Sequence, residues 1–127
     1  MSIAKIIAAH PNSGTGNEAL ALAVRHAMFC AAICTSCADA DSAEDMDMRQ
    51  CIRTCLDCAD ICSATARVAI RQTGANAAVT RGMLETCVTA CEACAEECER
   101  HDHDHCRLCA EMCRECARDC RAALESF

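Results

Sequence analysis

Tryptophan and tyrosine are absent from this 127-residue chain, and phenylalanine occurs only at Phe29 and Phe127. The side chains that most often anchor a core or stack on nucleic-acid bases are therefore missing, and something else must fill the interior. Proline occurs once, at Pro11, and with Asn12-Ser13-Gly14-Thr15-Gly16 it sets a short N-terminal segment (residues 1–16) apart from everything downstream. No basic stripe is present either. Twelve Lys and Arg stand scattered among nineteen Asp and Glu, for a net charge of −7, which argues against nucleic acid as a partner. Long apolar runs are lacking as well. In Met1 to His10 the apolar stretch is only Ile6-Ile7-Ala8-Ala9, too short for the core of a secretory signal, and no run is expected to approach membrane-spanning length. The chain is expected to be cytoplasmic, without a membrane partner.

What the sequence has in excess is cysteine, at sixteen positions. A chain of this length can bury a core without staples, so stability does not explain them. In a reducing cytosol structural disulfides are rare and a cysteine cluster points to metal.

Four stretches rich in Ala, Leu, Glu and Arg follow the linker, at roughly 17–40, 44–73, 77–100 and 104–124, and all suit helix. Ser42 and Asp45 are spaced as a capping box for the second, and Gly74 stands where a C-terminal cap would end it. The breaks are short, which implies antiparallel neighbours. The expected fold is all-α: one domain over 1–127, an antiparallel up-down-up-down four-helix bundle preceded by a short N-terminal helical segment.

The cysteines fall into four groups: Cys30, Cys34 and Cys37; Cys51, Cys55, Cys58 and Cys62; Cys87, Cys91, Cys94 and Cys98; Cys106, Cys109, Cys113, Cys116 and Cys120. Every gap within a group is three or four residues, the spacing of one helix face. At about 100° per residue each group stays within about 40° of its mean direction. Four such stripes converge only in a bundle core. A small unit, Cys-Ala-x-x-Cys, recurs at Cys58, Cys94, Cys109 and Cys116, and Asp41 stands where a fifth copy beginning at Cys37 would place its second cysteine. Asp41 is therefore expected on the thiol face. One or two buried cysteines are ordinary small hydrophobes, whereas sixteen on matched stripes would carry an oxidation liability that Ala or Val avoids.

An almost all-sulfur core favours a soft ion. Copper(I) accepts two or three thiolates, and with each thiolate bridging two ions the count approaches one ion per cysteine, on the order of sixteen. Each lost thiol proton is then replaced by one positive charge. The alternatives are a zinc store, holding about four ions in closed tetrathiolate sites, and a redox or iron–sulfur protein. The clustered ferredoxin pattern ends in Cys-Pro, and the single proline here is Pro11. A loop-borne metallochaperone pair and a DNA-binding copper sensor both fit an acidic chain with four internal stripes poorly.

The run Cys51-Ile52-Arg53-Thr54-Cys55-Leu56-Asp57-Cys58-Ala59-Asp60-Ile61-Cys62, the segment Arg71-Gln72-Thr73-Gly74 and the run His105-Cys106-Arg107-Leu108-Cys109-Ala110-Glu111-Met112-Cys113 resemble the cytosolic copper storage proteins of bacteria, over nearly the whole chain. The resemblance implies copper(I) storage in the core, a homotetramer of bundles and no catalytic reaction. The chain departs from the family at Ala23, Ala27 and Asp41, where members often carry further cysteines.

In an antiparallel bundle one end collects Asp41, Met46, Met48, His101, His103 and His105, and the other Leu20, Val24, Val68, Ile70, Met83, Leu84 and Leu124. The first reads as a mouth and the second as an apolar plug. His101, His103 and His105 are either a solvated turn or relay ligands, Met46 is expected in the loop and Met48 in core packing, with a thioether available to metal. His26, four residues before Cys30, faces the interior by spacing, as a packed histidine or as a terminal ligand.

Overall fold

The computed structural model describes residues 2–13 and 16–127, so Met1, Gly14 and Thr15 of the expected linker lie outside the described residues. It consists of α1 (Ile3–Ala8), α2 (Glu18–Ser42), α3 (Arg49–Ala69), α4 (Ala77–Cys98) and α5 (Asp104–Leu124), with no strand among the described residues. α2 packs on α3 and α5, and α4 packs on α3 and α5, so the four long helices form a square with α2 opposite α4. With loops of a few residues between them, the arrangement is an antiparallel up-down-up-down bundle, and α1 lies along α2.

The helix ends follow local chemistry. Ser2 caps α1, its hydroxyl accepting from the Lys5 amide at 3.2 Å. Asn17 caps α2, accepting from the Leu20 amide at 3.0 Å. Gly16, with φ of +78°, brings the linker so close to α1 that a Cβ there would sit 3.1 Å from the Ala8 Cβ. α1 is held by Ile7, which is buried.

Two boundary expectations are corrected. Ser42 and Asp45 do not form a capping box: α2 continues through Ser42, whose hydroxyl donates back to the Asp39 carbonyl at 2.6 Å. The connection is a loop of 43–48, and Asp47, rather than Ser42, accepts from the first amide of α3 at Arg49, at 3.1 Å. Alanine at 38, 40 and 43 around the Cys37 turn lets the helix run on past the acidic residues. Gly74 has the left-handed φ of +88°, yet α3 already ends at Ala69. The glycine instead turns the 70–76 loop, which Asn12 pins to the linker by donating to the Gln72 carbonyl at 3.1 Å.

α2 is long and apolar enough to cross a membrane by length and composition alone, contrary to the expectation of no such run. That apolarity is the cysteine and alanine face turned into the bundle: Ala21, Ala23, Ala27, Cys30, Cys34, Cys37 and Ala38 are all buried against the other helices. Both phenylalanines are on the outside, at 45% and 39% exposure, so sulfur and small aliphatic side chains fill the interior. Leu20, Val24 and Leu84 close the end opposite the 43–48 loop, with Val68, Ile70, Met83 and Leu124 half-buried around them.

Candidate metal centre

All sixteen cysteines are buried and none is paired in a disulfide. On each helix the i, i+3 and i, i+4 spacing stacks thiols on one face. Cys30 and Cys34 hold their sulfurs 3.7 Å apart, and Cys58 and Cys62 3.8 Å. The column from Cys106 to Cys120 extends about 21 Å along α5 at 1.5 Å per residue.

Across helices the sulfurs form a continuous lattice. Cys62 reaches Cys91 at 3.6 Å and Cys87 at 3.7 Å, and Cys87 reaches Cys116 at 3.9 Å. Cys113 meets both Cys30 and Cys34 at 3.7 Å, and Cys34 meets Cys109 at 3.7 Å. Cys55 lies 3.7 Å from Cys94 and 3.8 Å from Cys98, which is 3.9 Å from Cys51. Even the diagonal helices touch through sulfur, with Cys30 to Cys91 at 4.0 Å and Cys34 to Cys94 at 3.9 Å. Three non-overlapping quartets have all four sulfurs within 4.8 Å of one another: Cys62, Cys87, Cys91 and Cys116; Cys30, Cys34, Cys58 and Cys113; Cys37, Cys55, Cys98 and Cys109.

No Lys or Arg is buried among the described residues, so nothing in the core compensates a thiolate. Burial disfavours the charged form of every thiol in the column. Such a core packs as neutral thiols and becomes anionic only as cations replace the protons.

The end of the lattice beside the 43–48 loop has different chemistry. Asp41 is buried at 1% exposure, on the cysteine face as the repeat suggested. Its Oδ1 lies 3.6 Å from the Cys106 sulfur and 4.0 Å from that of Cys37, while its Oδ2 has no partner. Burial, followed by the nearby Cys51, raises its carboxyl to about 7. Burial also pushes the Cys106 thiol up to about 12. His105 sits in the same cluster, its Nδ1 3.4 Å from the Cys37 sulfur and 3.6 Å from that of Cys106. His103 stacks on His105 with ring centroids 5.4 Å apart. Met48 is buried in the core and Met46 is exposed in the loop.

The remaining histidines are spread apart. His101 pairs with Glu97 at 3.3 Å, outside the Cys37–Cys106 cluster. His26 does not point its Nδ1 into the lattice: that nitrogen is taken by the Asp119 carboxylate across the α2–α5 interface. Its position on the flank of the stripe, half-buried, explains the difference. Sequence reasoning did not single out Glu44, Glu97 or Asp119. The i, i+4 spacing of Glu97 and His101 was a usable signal; the approach of Glu44 to His105 across the bundle end left none. Ala23 and Ala27 are fully buried on the cysteine face and continue it toward the plug without donors.

A four-helix bundle whose interior is a column of free thiols, opening toward imidazole and carboxylate at one end, belongs to the class of metal-sequestering helical proteins. Residues 16–125 match the family model described as copper storage protein. The chain is similar, at 43% identity and a TM-score of 0.93 over 99% of its length and 100% of the other's, to the copper storage protein Ccsp of Streptomyces lividans, solved loaded with 10 copper equivalents. A cytosolic copper storage protein of Streptomyces lividans with five coppers is 48% identical, with a TM-score of 0.84 over 87% of this chain and 95% of that one. An uncharacterized cysteine-rich protein of Bacillus subtilis (strain 168), YhjQ, is 38% identical over 60 residues, 47% of this chain. The match spans about half that relative's length (52%). The chain belongs to the copper storage protein family.

Proposed function

We propose that this protein stores copper(I) in the bundle core, with all sixteen cysteines as ligands. The observation that carries the reading is the unbroken lattice of buried free sulfurs, with neighbours at 3.6–4.0 Å from Cys51 at one end to Cys116 near the other. A chain of bridging thiolates suits an ion of low coordination number and single charge, because each ion offsets one lost proton and leaves no large buried charge. A tetrahedral divalent ion in each quartet would leave two uncompensated negative charges.

Cys37, Asp41 and His105 form the uptake end, where a nitrogen or oxygen donor holds copper(I) transiently before bridging thiolates take it inward. His101 and His103 flank that opening, and Met48 adds a buried thioether beside it. His26 serves packing through Asp119. The protein acts in the cytoplasm, catalyses no reaction and assembles as a homotetramer of bundles, as its family resemblance implies. Native mass spectrometry of anaerobically loaded protein tests both parts together: a distribution centred well above four copper ions per chain, on a four-chain particle, is the expected result. Saturation at about four ions would return the chain to a zinc-type store.

A further inference from the structure

The mouth is built differently from the core, and the difference is one of donor type. Cys37 and Asp41 stand one turn apart at the end of α2, and His105 and Cys106 open α5. Four of the six separations among their ligand atoms are 3.4–3.6 Å, and a fifth is 4.0 Å. His105 Nδ1 is 3.4 Å from Cys37 Sγ, 3.6 Å from Cys106 Sγ and 3.6 Å from Asp41 Oδ1. Asp41 Oδ1 is 3.6 Å from Cys106 Sγ and 4.0 Å from Cys37 Sγ. Zinc bonded to sulfur at about 2.3 Å and to nitrogen and oxygen at about 2.0–2.2 Å in a tetrahedron places mixed donor pairs about 3.4–3.6 Å apart.

Two further observations point to an ion. His105 Nε2 lies 3.0 Å from Glu44 Oε1, so a donated Nε2–H fixes the tautomer and turns the Nδ1 lone pair toward the cluster. This is the carboxylate–histidine arrangement that orients a metal ligand. The Asp41 side chain, fully buried, keeps one oxygen without any partner.

We propose that Cys37, Asp41, His105 and Cys106 form a separate tetrahedral site for one divalent ion of zinc's class, and that its occupation ties α2 to α5 across the copper path. This goes beyond the storage reading, since it concerns a different cargo and stands on the mouth geometry. Charge favours this position over the core. Two thiolates and one carboxylate with a neutral imidazole leave a divalent site at −1, whereas a core tetrathiolate would be at −2 in deeper burial. The ion displaces the two thiol protons, and any proton on Asp41, to solvent. Copper(I) must then displace zinc from Cys37 and Cys106 to enter.

The test is an anaerobic titration of the reduced full chain with zinc against a chromophoric indicator, repeated with cobalt(II) for its visible bands. One equivalent should bind first, with the cobalt spectrum of a two-sulfur tetrahedral site. His105→Ala and, separately, Asp41→Asn should each weaken that equivalent by about tenfold or more, with helicity checked by circular dichroism. One zinc equivalent should also slow copper(I) uptake by the wild-type chain. A first equivalent with a four-sulfur cobalt spectrum, or one indifferent to both substitutions, would overturn the site. Copper(I) capacity of the wild type without zinc is read in parallel, so a failure of the storage reading shows there and a failure of the mouth site shows only in the zinc arm.

Discussion

Cys62 of α3 and Cys91 of α4 hold their sulfurs 3.6 Å apart, the shortest Sγ–Sγ approach described in the lattice, and both remain free thiols. A disulfide requires about 2.05 Å, so the pair is in van der Waals and weak hydrogen-bonding contact without a covalent bond. The bundle is thus already packed by thiols. Copper-free protein under reducing conditions should be strongly helical, and copper(I) should raise its melting temperature by more than about 10 °C through binding to the native state alone. Circular dichroism with and without copper checks both, and a random-coil copper-free spectrum would contradict the packing account.

Replacing Cys55, Cys58, Cys91 and Cys94 together by serine breaks the lattice at mid-column, removing Cys55–Cys94 at 3.7 Å, Cys58–Cys91 at 3.8 Å and the links from these four to Cys30, Cys34, Cys62 and Cys98. Serine is close in size but is a hard donor, so capacity should fall by about four ions while the helices persist. The four buried hydroxyls should cost roughly 1 kcal/mol each where they find no acceptor, lowering the melting temperature of the copper-free variant. Metal analysis and a thermal melt separate the two effects.

The four stripes and the position of Asp41 were legible because a helix converts spacing directly into direction: gaps of three and four leave no other face for Cys51 to Cys62. Gly74 was recognised as a left-handed position, yet not its place in a loop that begins after Ala69, because the Ala, Val and Ile residues of 66–70 suit either a continuing helix or its end. The false capping box at Ser42 arose from a local pattern that the preceding helix overran. What no periodicity carries is contact between elements at the bundle end. Glu44 meets His105 and Asp119 meets His26 only because distant segments are brought together, and neither pairing has a sequence signal.

Changing His101, His103 and His105 together to alanine should slow copper loading from a competing chelator by severalfold, with any loss of capacity confined to the mouth. His105 should account for most of the effect, since its Nδ1 alone among the three stands within 3.6 Å of two sulfurs. Stopped-flow absorbance of the thiolate-to-copper band measures the rate, and equal rates for both proteins would assign the histidines to the turn alone.

Asp41 gives the copper-free protein a pH dependence. Its carboxyl is raised to about 7 in the folded chain, mainly by burial, against an ordinary value near 3.8. The native state therefore holds a proton that the unfolded chain has released between those values. Stability from this group is fully present below about pH 4 and is lost as pH rises toward 7. The loss is on the order of 2–4 kcal/mol. Asp41→Asn should flatten that decline and leave the variant the more stable protein at pH 8, in chelator-treated samples melted across the range. An unchanged slope would place the titration elsewhere.

Storage as proposed makes the sulfur column one continuous store for a monovalent soft ion. Anaerobic titration of the reduced chain with copper(I), followed by thiolate-to-copper absorbance in a protein with no Trp or Tyr background, tests it most directly. The expected result is a linear rise to an end point on the order of sixteen ions per chain, one for each cysteine. An end point near four, the number that closed tetrathiolate sites allow, would contradict it.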